Sequence, residues 1–277
     1  MLVSAPAFTE SFEGWPDRFP SQNLVDAYLV IDQDGSAKKW NQTTYYANYQ
    51  ASGGLASEVL YQHRDKRFGA SVVYDSTKLY NNIVMTRDAG NMNRLSSSVG
   101  DWGVSESNYY YRKGLYEAKK VWYSDATNYS QAIIRLGEVY LNYAEALLLT
   151  GKITEAVTAI NQTRQVHGGL PAIETTPSED EAWDIYKNER RVDLLMENDR
   201  YWSLLRWAKF KGQIDIPELR ETIRRVDISA DGKTFSFADV TLNGNSDRVF
   251  TQRRFLFPVP ISELQANPKL APNNEGW

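Results

Sequence analysis

Hydrophobic positions recur with helical spacing through the second half of the chain and lose that period in the first half. Ile133, Leu136, Tyr140, Tyr143, Ala144 and Leu147 return every three or four positions, which predicts a helix over 132–149 with one buried stripe. Gly151 interrupts it, because glycine readily adopts the left-handed conformation that closes a helix C-terminus. Ala156, Val157 and Ile160 mark the apolar face of a second helix over 153–167, stopped by Gly168, Gly169 and Pro171. So short a connection makes the two helices antiparallel. A third helical passage covers 179–211, kinked or broken along the way.

Residues 1–130 read as irregular and loop-rich, with Gly53-Gly54, Asn81-Asn82, Ser96-Ser97-Ser98 and Gly100 as punctuation. Short extended runs at 70–74 and 109–112 suit strands, and 24–30 opens with a short helix. After the helical region 131–211, residues 212–256 carry two hairpin signals. Asp231-Gly232 separates Val226-Asp227-Ile228 from Thr234 to Phe237, and Asn243-Gly244 separates Val240-Thr241-Leu242 from Val249-Phe250. Residues 257–277 form an extended tail with a short helix at 261–265. The predicted fold is mainly α, with tetratricopeptide-like helical pairs, long irregular loops and short β-hairpins. Ala144, Gly151 and Ala156 give 133–171 the spacing of one such repeat, and an ordinary helical hairpin is the plainer alternative. A free-standing solenoid needs about three repeats.

Charge falls where a plain amphipathic helix would carry hydrocarbon. Glu138, Asn142 and Glu145 share one face, with Arg135 a turn before them. Glu189, Asp193 and Glu197 share a face of the later passage, and Arg190, Arg200 and Arg206 follow around it. Tyr201, Trp202, Leu204, Leu205 and Trp207 surround the last two arginines with apolar bulk, and a guanidinium in such surroundings needs a carboxylate partner. Arg135, Glu138, Glu145, Glu189, Arg190, Glu197, Arg200 and Arg206 are therefore expected to form structural ion pairs. Glu138 or Glu145 should meet Arg190 or Arg200.

Composition narrows the chemistry. The 277 residues contain no cysteine, which excludes disulfides, thiolate nucleophiles and Cys-ligated metals. A net charge of −4 argues against a nucleic-acid binder, whose basic stripe it lacks. No run approaches the ~18 apolar residues of a membrane-spanning helix. His63 and His167 are the only histidines, each among charged or turn residues, and no serine-hydrolase elbow, phosphate loop or zinc-protease motif occurs. No catalytic residue, metal site or cofactor is predicted. Asp32-Gln33-Asp34-Gly35 begins like a calcium loop but reads better as a simple turn, with Thr43 where a bidentate Glu belongs.

The aromatic content is high, with 17 Tyr, 10 Phe and 8 Trp. Those on the helices, such as Tyr140, Trp183 and Trp207, suit a core. Trp15, Trp40, Tyr45, Tyr46, Tyr49 and Trp102 sit instead in polar loop sequence. A flat ring beside Asn, Gln, Asp and Arg suits a sugar, whose C–H face is apolar and whose rim is hydroxylated. These six are the candidate ligand-binding residues; stapling of loops to the helical core is the alternative.

Pro20 to Tyr28, Arg64 to Phe68, Arg135 to Ala146, Glu189 to Trp207 and the tail from Phe257 to Trp277 are five segments that together resemble the SusD/RagB family of outer-membrane nutrient-binding lipoproteins. Arg135, Glu138, Leu141, Ala144, Glu145 and Ala146 follow that family's Arg-x-x-Glu-x-x-Leu-x-x-Ala-Glu-Ala helix. Glu189-Arg190-Arg191, Glu197, Arg200-Tyr201-Trp202, Leu204 and Arg206-Trp207 follow its Glu-Arg-Arg…Arg-Tyr-Trp helix. The tail from Phe257-Pro258-Val259-Pro260-Ile261 through Asn267-Pro268 to Asn273-Asn274-Glu275-Gly276-Trp277 is similar to its closing motif. Pro20 to Tyr28 and Arg64-Asp65-Lys66-Arg67-Phe68 match two earlier landmarks. Ser203, Gly137 and Lys66 depart from it, standing where Asp, Ala and Pro are usual.

The resemblance implies one C-terminal family domain over 1–277, part of a longer protein, because signal peptide and lipid-bearing cysteine are both missing from this chain. It implies no enzyme. The implied function is capture of an extracellular glycan or other oligomeric nutrient, handed to a SusC-like TonB-dependent transporter at the outer face of a Bacteroidota-type outer membrane. The alternatives are a helical-repeat scaffold that binds protein and, less favoured, a glycoside hydrolase acting through paired carboxylates.

Overall fold

Helix starts are set by side chains that satisfy orphan backbone donors. The computed structural model describes residues 18–80, 82–93, 104–115, 117, 126, 128, 130, 132–241 and 248–277. They group into two compact units, Met1–Glu197 with Ile223–Val240, and Asn198–Thr222 with Thr241–Trp277. In the first unit, Ser21, Thr43 and Asp65 cap three short helices: α1 (Gln22–Val25), α2 (Thr44–Ser52) and α4 (Lys66–Ser71), with α3 (Ala56–Tyr61) between the last two. The guanidinium of Arg64 collects the carbonyls of Leu60, Val25 and Tyr28, so one buried cation closes the C-terminal ends of α1 and α3.

α2, α3 and α4 depart from the reading of 1–130 as irregular, while α1 overlaps the short helix expected from residue 24. α2 is aromatic and polar with no apolar stripe, and all four are too short to show a period. Such helices form because the tertiary fold supports them. Two-residue strands join them: β1 (Val30–Ile31) pairs with β2 (Ala37–Lys38), and β3 (Val72–Val73) with β6 (Tyr110–Tyr111), each antiparallel. The second of these pairs the two runs predicted at 70–74 and 109–112. β4 (Thr77–Leu79) pairs with β5 (Asn82–Val84).

Helices α5 (Leu136–Leu149), α6 (Ile153–Val166) and α7 (Glu179–Asp193) pack on one another. Gly151, at φ 72°, closes α5. Its N–H donates to Leu148 O and that of Lys152 to Leu147 O, the paired bonds of a Schellman turn. Ser178 and Glu181 form a reciprocal capping box that starts α7. The predicted stripe on α5 is corrected. Ala144 and Leu147 are buried, but Ile133, Leu136 and Tyr143 are exposed, and the buried face runs through Gly137, Leu141, Ala144, Glu145 and Leu148. α5 is apolar on more than one side, so periodicity cannot say which side packs.

The unit closes with the hairpin β7 (Arg224–Ile228) and β8 (Phe235–Asp239), turning at Asp231-Gly232 as predicted. Its core gathers Tyr28, Phe68, Tyr61, Tyr109 and Trp40 with Val226 and Ile228. A smaller cluster of Val73, Leu79, Val84, Met92, Val104 and Tyr110 lies around β3 to β6.

The passage predicted over 179–211 is two helices. α7 stops at Asp193, and beyond it the backbone turns positive in φ at Met196 (63°) and Asn198 (58°), a conformation a right-handed helix cannot pass through. The second unit then holds α8 (Arg200–Phe210) and the tail helix α9 (Ile261–Ala266). The closing motif clasps itself. Asn273 exchanges hydrogen bonds with the backbone of Val259, and the Trp277 indole N–H donates to Arg253 O and Leu256 O. The Asn243-Gly244 turn lies outside the described residues, and Val249 and Phe250 beyond it are not in a strand.

The second apolar stripe of α5 has a consequence. Leu136, Val139 and Tyr143 lie at i, i+3 and i+7 and are 66%, 49% and 57% exposed. A contiguous stripe of this kind drives association. The isolated chain is expected to self-associate, and Leu136→Lys with Tyr143→Lys to shift it towards monomer. Multi-angle light scattering reads this directly; a clean wild-type monomer at high concentration would contradict it.

Candidate functional site

Three tyrosines of α2 form a ledge of part-exposed rings on the first unit. α2 begins where Thr43 Oγ1 accepts the Tyr46 N–H and gives its own proton to Trp40 O. The buried carboxylate of Asp32 accepts both the N–H and the hydroxyl of Thr44, at the positive end of the helix. Burial pushes Asp32 up, but the hydrogen bonds from Lys38 and Thr44 more than offset it and hold the group at about 2. Lys38 Nζ lies 2.7 Å from both Asp32 and Asp34, so an ammonium of the chain itself bridges the two carboxylates of the loop whose start looks like a calcium site.

From this base Tyr45, Tyr46 and Tyr49 project half-buried. Tyr45 stacks on His63, centroids 4.6 Å apart and planes 6° from parallel. Tyr46 meets Trp40 edge-on at 5.0 Å, and its hydroxyl accepts from the Gln50 amide. Tyr49 lies against Phe235 at 5.5 Å and donates its hydroxyl to Lys233 O. The rings are thus pre-set by contacts that leave part of each in solvent. Trp40 does not join them. It is 7% exposed, packed on Tyr46, Phe235 and Phe237, with its indole N–H given to Asp26. Its expectation as a ligand platform is corrected to a core role. Trp15 and Trp102 lie outside the described residues.

Five of the eight predicted charges, Arg135, Glu145, Glu189, Arg190 and Glu197, fall into two groups that are buried or largely so. In one, Arg190 lies 4.0 Å from Glu145. The Tyr186 hydroxyl sits between them, donating to Glu145 and accepting from Arg190. The other group is centred on Arg67 of α4. It reaches Glu189 at 2.5 Å, Asp65 at 2.6 Å and Asp193 at 3.0 Å. Arg135 extends it to Asp193 and to Glu197 at 2.8 Å, and Lys113 joins Glu197 at 2.5 Å. His167 Nδ1 lies 2.8 Å from Asp193. Burial alone would raise Asp193, but the His167 hydrogen bond and the Arg135 and Arg67 charges hold it below the usual carboxylate range. Burial pushes Lys113 down despite Glu197.

Glu138 is half-buried and forms no ion pair among the described residues. Arg200 and Arg206 belong to the second unit, where Arg206 donates to Ser203 Oγ. Arg67, Asp193 and Lys113 were missed as partners. Only the Arg-Asp-x-x-Phe landmark and the shared face of Glu189 and Asp193 hinted at them.

Each departure from the family pattern finds a local reason. A Cβ on Gly137 would lie 2.5 Å from Arg135 Nη1 and 3.1 Å from Asp193 Oδ2, so glycine leaves Arg135 room to reach its acid. The backbone N–H of Lys66 donates to Gly168 O, a bond proline could not make. Ser203 is buried, donating to Asp199 and accepting from Arg206.

Comparison with known proteins places this geometry. The chain is 28% identical over 148 residues to the SusD-like protein P38 of Formosa agariphila, 51% of this chain and 24% of that one. A SusD-like protein from Bacteroides fragilis superposes over the whole chain and 50% of its own length, with a TM-score of 0.70 at 24% identity. A SusD-like carbohydrate-binding protein from the same species superposes over 98% of this chain and 50% of its own, at 0.59 and 20%. The chain therefore spans about half the length of the solved structures it matches. The tetratricopeptide-like helical fold is common to them. Residues 4–277 match the SusD family from near one end to the other, and the chain belongs to that family.

Proposed function

We propose that this protein captures an extracellular glycan without chemistry and delivers it to a TonB-dependent transporter at the outer membrane, with the tyrosine ledge as its contact surface. The observation that carries the reading is the ledge itself: Tyr45, Tyr46 and Tyr49 held part-exposed on one capped helix. Rings fixed in advance lose little entropy on stacking against a sugar. Trp15 and Trp102 complete the proposed set. Membership in a family with a carbohydrate-binding relative supports it.

The buried carboxylates support a binding role over hydrolysis. A glycosidase needs one carboxylic acid with a raised pKa beside a second carboxylate. Glu189, Asp193 and Glu145 are instead engaged by arginine or tyrosine, and Asp193 is shifted the other way.

The test is calorimetry with a panel of neutral oligosaccharides. Binding should lie between about millimolar and micromolar, roughly −4 to −8 kcal/mol. Tyr45→Ala and Tyr49→Ala should each weaken it about two- to tenfold, as ring contacts worth roughly 0.5–1.5 kcal/mol would, with melting temperatures measured alongside to separate binding from folding. Binding that persists unchanged in all ledge variants would move the site elsewhere. The protein-binding scaffold is favoured by one observation, the exposed stripe of α5; transporter capture with no sugar binding would select it.

A further inference from the structure

We propose that the second unit carries a groove of its own for an acidic oligosaccharide, one whose sugars bear carboxylates. The groove lies wholly within that unit, between α8 and the closing tail, with a volume of about 910 Å³. That is towards the upper end of the ~300–1,000 Å³ typical of small-molecule sites. Its apolar lining includes Trp202, Ile214 and Leu256, which are 52%, 64% and 58% exposed. Phe257 supports the Trp202 ring at 5.9 Å, so the indole is held in place while one part of it stays open. An indole of this kind offers a sugar's C–H face the platform it needs.

The rim gives the groove its sign. Arg206, Lys209 and Arg253 line it against a single acid, Glu275. Among the described residues neither Lys209 nor Arg253 has a carboxylate partner. Arg253 is instead fixed by stacking over Trp277 at 4.5 Å and by donating to Gly276 O. A guanidinium held in place but not neutralised is suited to charge-assisted hydrogen bonds with a carboxylate. The surplus of positive charge is local, since the chain as a whole carries −4. An apolar ring flanked by two cations matches a uronate chain better than a neutral one. The carbohydrate part of this inference rests on the glycan-binding reading; the acidic part rests on the rim alone.

The probe is tetragalacturonate, with its full methyl ester as the neutral control, titrated into the 277-residue chain by calorimetry. The acid should bind about tenfold or more tighter than the ester, as an added charge-assisted contact predicts, and 0.5 M salt should erase much of that difference. Lys209→Gln should reduce the preference. Glu275→Gln should increase it, a gain that a merely structural role would not produce. Trp202→Ala should weaken tetragalacturonate binding. Melting temperatures identify any variant that fails to fold, and Lys209 and Glu275, both at the surface, keep the test independent of such failures. Equal affinity for acid and ester overturns the proposal, as does a preference that neither charge variant moves, or one abolished only at the tyrosine ledge. If neutral oligosaccharides bind the ledge and tetragalacturonate gains nothing, this inference falls and glycan capture stands. If no oligosaccharide of either kind binds, both fall.

Discussion

Replacing Arg67 with alanine should cost about 3–5 kcal/mol of folding stability, the range for removing one partner of a buried ion pair. The Arg67 side chain is 8% exposed, and those of Asp65, Glu189 and Asp193 are 1–3% exposed. Without the guanidinium, Asp65 and Glu189 lose their central cation in a buried site, and Asp193 keeps only Arg135 of its two arginines. Burial disfavours the charge on Arg67, but Asp65 and Glu189 outweigh it and raise its pKa further. Arg67→Met should cost about as much as Arg67→Ala, because charge rather than volume is lost. Urea titration of wild type and both variants measures this. A loss near 1 kcal/mol or less would mean that water replaces the guanidinium.

The same network sets a pH dependence with a definite sign. The folded pKa of Asp193 is depressed, so its contribution is complete above the unfolded carboxylate value of about 3.9. It is lost as pH falls through the lower folded value. The stability gap between wild type and Asp193→Asn should therefore be at full size by about pH 5 and narrow as pH falls below about 4. A gap that instead widened in acid would reverse the assignment.

Phe68→Ala is the second large effect, expected at about 3–5 kcal/mol for an aromatic deleted from a close-packed core. Phe68 is 1% exposed. Its ring lies 4.7 Å from Tyr74, 5.5 Å from Tyr28 and 6.0 Å from Tyr61. The Arg64 guanidinium sits over it at 5.4 Å. Truncation would open a cavity among four tyrosine and arginine side chains that cannot all collapse into it. Phe68→Leu should recover more than half of the loss, since most of the volume returns but the ring contacts do not. Equal losses for Leu and Ala would show that the ring geometry, rather than the space, carries the stability. Arg67 and Phe68 are consecutive on α4 and so point apart, one into the ion network and one into the aromatic core. A helix of six residues thus ties both halves of the first unit's interior together.

This aromatic core explains where the tyrosines of a tyrosine-rich chain go. Tyr28, Tyr61 and Tyr74 pack around Phe68, Tyr109 meets Tyr61 edge-on, and Trp40 is buried beneath the ledge. In the sequence Trp40 and Tyr45 stand in equally polar surroundings. Their fates differ because Phe235 and Phe237, some two hundred positions away, cover one and leave the other at the surface.

Local signals by themselves determined the α5–α6 hairpin, the start of α7 and the β7–β8 turn. Each depends on neighbours within about four residues: Gly151 free to turn left-handed, Ser178 and Glu181 closing a capping box, Asp231-Gly232 reversing the strand. The family motifs were legible for the same reason, as short runs whose residue types are read directly. Only the tertiary structure decided which face of α5 is buried, because a helix apolar on several sides has no single phase to read. Only it chose Arg67 for Glu189, 122 positions apart, from among many equivalent charges. Propensity and capping act through the chain's own neighbours. Burial and ion pairing act through space, and their partners exist only once the chain has folded.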